Sequence, residues 1–297
     1  MQRSLAKNTP GYVFLSPWLI GFICLAAGPI LASLVLSFTK YDMINPPQFV
    51  GLDQYEYMFT RDRRFYKALQ VTFSYVLLSV PLRLIVALAV AMVLDKAIRA
   101  IGIYRALLYL PSILGASVAV AILWRQVFAG NGVINTVLAQ FGIQGPNWLA
   151  DPNVSLLSLV ALSMWQFGAP MLIFLAGLRA IPNELYEAAE IDAASPVRKF
   201  LRITLPLLAP VIFFNLVLQM IDAFKTFSSV FIISNGLGSP ADSLLFYTLY
   251  LFNEAFKFFR MGYASALAWV LLLIIAAFTF IAFLTSKYWV YYENERD

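Results

Sequence analysis

Six apolar blocks, near residues 12–38, 70–94, 107–128, 154–177, 207–233 and 262–286, constrain this chain more than any other feature. Each is long enough to cross about 30 Å of hydrocarbon as a helix. With 61% hydrophobic and only 12% charged residues, the chain is too apolar for an ordinary soluble domain. The expected fold class is an all-α integral membrane protein with six transmembrane helices. The first block follows Arg3 and Lys7, as a signal peptide would, but it is too long for one and lacks a cleavage site before a polar region. Leu25-Ala26-Ala27-Gly28 is followed by Pro29 where a lipidated cysteine would stand, so the block reads as an uncleaved span kinked at Pro29.

Several chemistries are excluded by residues the chain does not have. It contains no histidine, which removes HExxH metalloproteases, Ser-His-Asp triads and histidine-ligated haem. The single Cys24 gives neither a disulfide framework nor a zinc cluster. No Gly-Lys dipeptide occurs, so there is no Walker-type phosphate loop. The net charge of +5 is scattered between apolar blocks rather than gathered for nucleic acid. In a membrane protein such charge sets orientation. With both termini cytoplasmic, the inner segments hold Arg3, Lys7, Lys96, Arg99, Arg105, Arg179, Arg198, Lys199, Arg202, Lys287 and Arg296, and the outer ones Lys40, Arg61, Arg63, Arg64, Lys67, Lys257 and Arg260. Eleven against seven has the sign the positive-inside rule requires.

The fifth block carries Asn215, Gln219, Asp222 and Lys225 or Thr226. Their spacing puts them along one helix face, and a polar stripe facing lipid is costly. It reads either as the wall of a translocation path or as an Asp222–Lys225 pair neutralising itself while the amides join helices. Asn and Gln suit sugar hydroxyls, and Phe213, Phe214, Phe224 and Phe227 flank the stripe. Arg125 lies close enough to an interface to snorkel. Arg83, after Pro81, is deeper and needs a protein or water partner; with Lys225 it leaves room for an acidic sugar as cargo.

Between the fourth and fifth blocks lies a polar interval that does not read as a slack loop. Asn183, after Pro182, is placed to cap a helix with Glu184 and Glu187 in its first turn, and Ser195-Pro196 reads as the cap and first position of a second short helix. Such a pair of helices could rest on the membrane surface or insert into a groove on a partner. Residues 39–69 and 129–153, with Trp148, are expected as external loops.

The interval also carries a resemblance. Glu187-Ala188-Ala189, Asp192, Phe200, Ile203, Leu205-Pro206 and Pro210 resemble the EAA motif of the permease subunits of ATP-binding-cassette (ABC) importers. Further blocks in the same order resemble the carbohydrate-uptake permeases, oligosaccharide type, among them the maltose-system family. These are Phe49-Val50-Gly51-Leu52-Asp53, Leu110-Pro111, Trp148-Leu149, Gly177-Leu178 and Gly262-Tyr263-Ala264-Ser265-Ala266. The family has glycine where this chain has Ala193, and alanine disfavours a left-handed backbone there.

The resemblance implies a type I ABC importer permease, not an enzyme, with a cytoplasmic N-terminus (1–11), a permease domain (12–286, including external loop 39–69 and coupling loop 178–206) and a cytoplasmic tail (287–297). It implies that Glu184, Glu187, Ala188, Ala189, Asp192, Ala193 and Phe200 dock on an ATPase. Asn215, Gln219, Asp222 and Lys225 would then line the path for a sugar. The implied partners are a second homologous permease, two cytoplasmic ATPase subunits that bind ATP and Mg, an extracytoplasmic solute-binding protein, and the lipid of a bacterial inner membrane. The chain itself would hold no cofactor and no metal. A polyol, glycerol phosphate or amino-acid cargo, and a membrane-embedded enzyme using Asp222 with Lys225, are the alternatives.

Overall fold

The computed structural model describes residues 14–96, 101–115 and 117–290. The expected N-terminus (1–11), the end of the tail, and Arg3, Lys7, Arg99 and Arg296 lie outside them.

Among the described residues, four helices are long and apolar enough to cross a membrane: α1 (Phe14–Leu36), α3 (Arg63–Asp95), the helical run Pro196–Ile233, and α12 (Met261–Ser286). Two bent pairs bring the number to six if each pair is one span. They are α4 (Ile101–Leu114) with α5 (Val118–Val127), bent by 96°, and α7 (Ser155–Trp165) with α8 (Gly168–Ala180), bent by 44°. Two polar intervals expected as loops contain helix. Arg63 to Gln70 form the first turns of α3, preceded by α2 (Asp53–Thr60), and α6 (Val133–Gln140) lies within 129–153.

Proline shapes two spans by a common device. A proline lacks the N–H that a helix needs and crowds the carbonyl four residues back. Before Pro29 the chain makes a π-helical turn, Ile23–Ala27, in which the Gly28 N–H reaches the Ile23 oxygen. Before Pro206 it makes another, Phe200–Thr204, in which the Leu205 N–H reaches the Phe200 oxygen. The chain thus passes Pro206 without a break: α10 (Pro196–Lys199), the π-turn and α11 (Leu205–Phe224) follow one another directly. The second short helix of the coupling loop is therefore the base of the fifth span.

The chain divides into two compact units. The first takes the residues up to Asp62 together with Leu251–Leu272. In it, a two-stranded hairpin (β1 Thr39–Lys40, β2 Gln48–Phe49) pairs Thr39 with Phe49. Gly262 packs against β1 so closely that a Cβ would overlap the Thr39 carbonyl, while its N–H donates to the Tyr41 oxygen at 3.1 Å. Tyr263 donates to the buried Asp62. The second unit takes Arg63–Tyr250 and Leu273–Asp297. Here α3 packs on α7, α8 and α11, and α8 also meets α4 and α11. A Cβ on Gly168 would stand 2.7 Å from the Leu108 carbonyl oxygen, so the approach of α8 to α4 depends on that missing side chain. Phe213 stacks edge-on against Phe283 at 4.9 Å, and Phe224 lies against Phe73 and Phe278. Both rings are core packing rather than sugar platforms, and Phe214 points away, exposed.

Candidate functional site

The coupling segment is built by local hydrogen bonding. Helix α9 runs Asn183–Ile191, and Pro182 rather than Asn183 occupies the cap position. Asn183 is already the first helical residue, and no side chain caps this end. At the other end the Ala194 N–H bonds the Ala189 oxygen and the Ala193 N–H bonds the Glu190 oxygen, both at 2.9 Å. That is the paired closure of a Schellman motif, and it puts the residue after the cap in the left-handed region. Ala193 stands there at φ 51°. Alanine disfavours this conformation, as the sequence reading holds, but two backbone bonds and the following helix start outweigh a cost of about 1–2 kcal/mol. Ser195 then caps α10, its Oγ accepting from the Arg198 N–H, with Pro196 at the first position.

The elbow is tied from both sides. Lys199 Nζ donates to Glu190 Oε1 at 2.7 Å, bridging α9 and α10. Tyr186 Oη and Thr204 Oγ1 lie 2.9 Å apart, and Arg179 reaches Asp95 at 3.6 Å. The Lys199 ammonium holds the Glu190 carboxyl below its ordinary value of 4.5, first by hydrogen bond and then by charge. Glu190 and Tyr186 escaped the sequence reading, because nothing in it says which acid of an acidic run finds the partner. Outward, Glu184, Glu187, Ala188 and Ile191 are all exposed, and their spacing of three, one and three puts them on one helix face. Ile191 is 88% exposed, and Leu185, Val197 and Leu201 are exposed as well. Asp192 and Ala193 are exposed at the bend; Ala189 and Phe200 are half-buried.

The polar stripe of α11 divides. Asn215 is fully buried, with neither side-chain atom paired, and it is not among the residues that line the cavity beside α11. Gln219, Asp222 and Lys225 line a cavity of about 330 Å³ walled by α3, α7 and α11. Asp222 and Lys225 are both exposed and stand 3.7 Å apart, a weak pair at the end of the helix. Arg83 also faces this cavity, as do Ser112 and Gln166. It donates from Nε and Nη2 to the Gln166 main-chain oxygen, at 3.0 and 2.7 Å, where the break between α7 and α8 leaves that carbonyl free. Ser112 Oγ donates to the same oxygen at 2.8 Å. Arg125 does not need to snorkel, since its Nη1 donates to Asn235 at 2.7 Å. Among the described residues, no cluster of His, Cys, Asp or Glu could hold a metal.

Residues 57–290 match the family described as binding-protein-dependent transport system inner membrane component. The chain belongs to that family. It is an ABC importer permease, a non-catalytic transport subunit of the inner membrane that works with a solute-binding protein, and the enzyme alternative falls away.

The permease is 53% identical over 297 residues to the probable ABC transporter permease protein YesP of Bacillus subtilis, covering 99% of this chain and 96% of that one. It is 31% identical to the arabinooligosaccharides transport system permease protein AraP of the same organism, covering 93% and 88%. Among solved structures, the bacterial alginate ABC transporter in complex with its alginate pentasaccharide-bound periplasmic protein superposes with a TM-score of 0.82 at 19% identity, covering 97% of both chains. That likeness gives the type I permease fold.

Proposed function

We propose that this permease forms the translocation pathway for a sugar or oligosaccharide, driven by ATP hydrolysed on separate subunits through the α9–α10 elbow. The observation that carries the proposal is the exposed face of that elbow. Glu184, Glu187, Ala188 and Ile191 present acids and a short apolar side chain on a rigid, doubly tied element, the shape a groove on a partner would accept. Small Ala188 and Ala189 permit close approach, Glu187 supplies charge, and Asp192, Ala193 and Phe200 set the bend. The working complex holds this chain, a second homologous permease, two ATPase subunits binding ATP and Mg, and the binding protein. ATP binding closes the ATPases, the elbow moves, and because α10 runs through the π-turn into α11, that motion reaches the cavity beside Gln219, Asp222 and Lys225. For ATP to shift the equilibrium, the elbow must contact the ATPase differently in the two states. Sugar cargo fits these hydrogen-bonding groups and the relatives' arabinooligosaccharide and alginate systems. Both termini are cytoplasmic in this reading.

The test is cross-linking from Ala188→Cys in a Cys24→Ser background, within the assembled transporter. A cross-link to the ATPase, at a yield that changes with ATP, is expected. Labelling of that cysteine from the outer side, or no ATPase product, would sink the proposal.

A further inference from the structure

The cavity beside α11 holds one more positive charge than its own residues offset. Asp222 is the one carboxylate among its lining residues, and it stands against Lys225. Arg83 is in no ion pair found among the described residues. Two of its five N–H groups serve the Gln166 carbonyl, and the rest have no hydrogen-bond partner among the described residues. A cation midway along a 33-residue apolar helix is costly unless something offsets it. Two further lining groups lack protein partners although deeply buried. Ser79, one turn before Arg83, is fully buried with its Oγ unpaired, and Gln219, 6% exposed, has an unpaired Oε1. Arg83, Ser79 and Gln219 thus lie together along the wall of a volume at the lower end of ligand-site sizes.

We propose that this cavity takes a carboxylate-bearing sugar unit, a uronic-acid residue, with Arg83 binding the carboxylate and Gln219 in the wall beside it. The proposal rests on the pathway reading above and names its cargo class. A carboxylate matches the single surplus charge and the planar fork of a guanidinium. A phosphate monoester, at about −1.5 to −2, exceeds it.

The test uses the purified complete transporter and three probes: a glucuronic-acid disaccharide, its carboxyl-reduced neutral counterpart, and a sugar phosphate. Calorimetric titration should show the acidic disaccharide binding about tenfold tighter than the neutral one, as expected for a charge-assisted contact. Arg83→Gln should bring the two within about twofold, which is about 0.4 kcal/mol from parity. Arg83→Lys keeps a cation and should keep the preference, which serves where Arg83→Gln does not assemble. Equal affinities in the parent, no binding of either disaccharide, or an unchanged preference in Arg83→Gln would overturn the proposal; tighter binding of the sugar phosphate would replace carboxylate with phosphate. Gln219→Leu separates the two levels. If it weakens all probes while no acidic preference exists, the pathway stands and the uronate does not. If it changes none of them, the pathway itself fails.

Discussion

Replacing Asn215 with leucine should make this permease more stable and slower. The amide is fully buried, and neither its oxygen nor its nitrogen has a protein partner, so the folded state bears the desolvation of both ends. Leaving a buried polar group unsatisfied costs about 1–3 kcal/mol, and leucine, larger but with the same branched heavy-atom skeleton, has no such group. The expected gain is therefore about 1–3 kcal/mol, reduced by any repacking strain. At about 2–4 °C per kcal/mol, the apparent unfolding temperature of the complete transporter should rise by several degrees. An amide retained at such cost fits a group that finds its partners in another conformation of the cycle, so sugar uptake in proteoliposomes should fall although expression does not. Thermal unfolding of the complex and uptake would be measured on the same preparation. A lower unfolding temperature would mean that the amide is satisfied, and the reasoning would fail. Unchanged uptake at raised stability would leave the energetics standing and remove Asn215 from the transport cycle.

Other expectations follow from the elbow and its ties. Glu187→Arg places a cation on the outward face of α9 and should uncouple ATP hydrolysis from uptake while the permease stays in the membrane; normal uptake would count against docking there. Ala193→Gly relieves left-handed strain of about 1–2 kcal/mol against about 0.4–1 kcal/mol of added freedom in the unfolded chain, a net gain of about 1 kcal/mol. Hydrogen exchange at the Ala194 amide should slow about fivefold in that variant. The Glu190–Lys199 bridge should stabilise the elbow at neutral pH. Because the Glu190 carboxyl sits below its ordinary 4.5 when folded, that contribution is whole above about 4.5 and disappears as pH falls through the folded value. Limited proteolysis at the elbow should therefore distinguish the parent from Lys199→Met at pH 7 and not at strongly acid pH.

Apolar length, a property of composition over a window, was readable from the chain alone, and with it the membrane class, the approximate spans and the absence of histidine chemistry. Local capping was also legible where a single residue type decides it: Ser195 before Pro196 starts α10 as its chemistry requires. The reading failed where the path of the local backbone decides. Asn183 looked like a cap, but the backbone enters the helix one residue earlier. Pro206 looked like a boundary, but a π-turn five residues long absorbs the missing N–H. Ala193 takes the conformation usually reserved for glycine, because two backbone hydrogen bonds close around it.

The stripe on α11 shows the same division between the two levels. Period and polarity put Asn215, Gln219, Asp222 and Lys225 on one face, since a helix repeats every 3.6 residues whatever surrounds it. Whether each then met solvent, a cavity or a wall of side chains depended on what α3, α7 and α8 laid against that face. Only packing between segments buried Asn215, set Gln219 in the cavity wall and brought Arg83 to the broken α7–α8 junction. A sequence fixes periodicity because that is a property of one segment; burial and pairing belong to several segments at once and exist only when they are folded together.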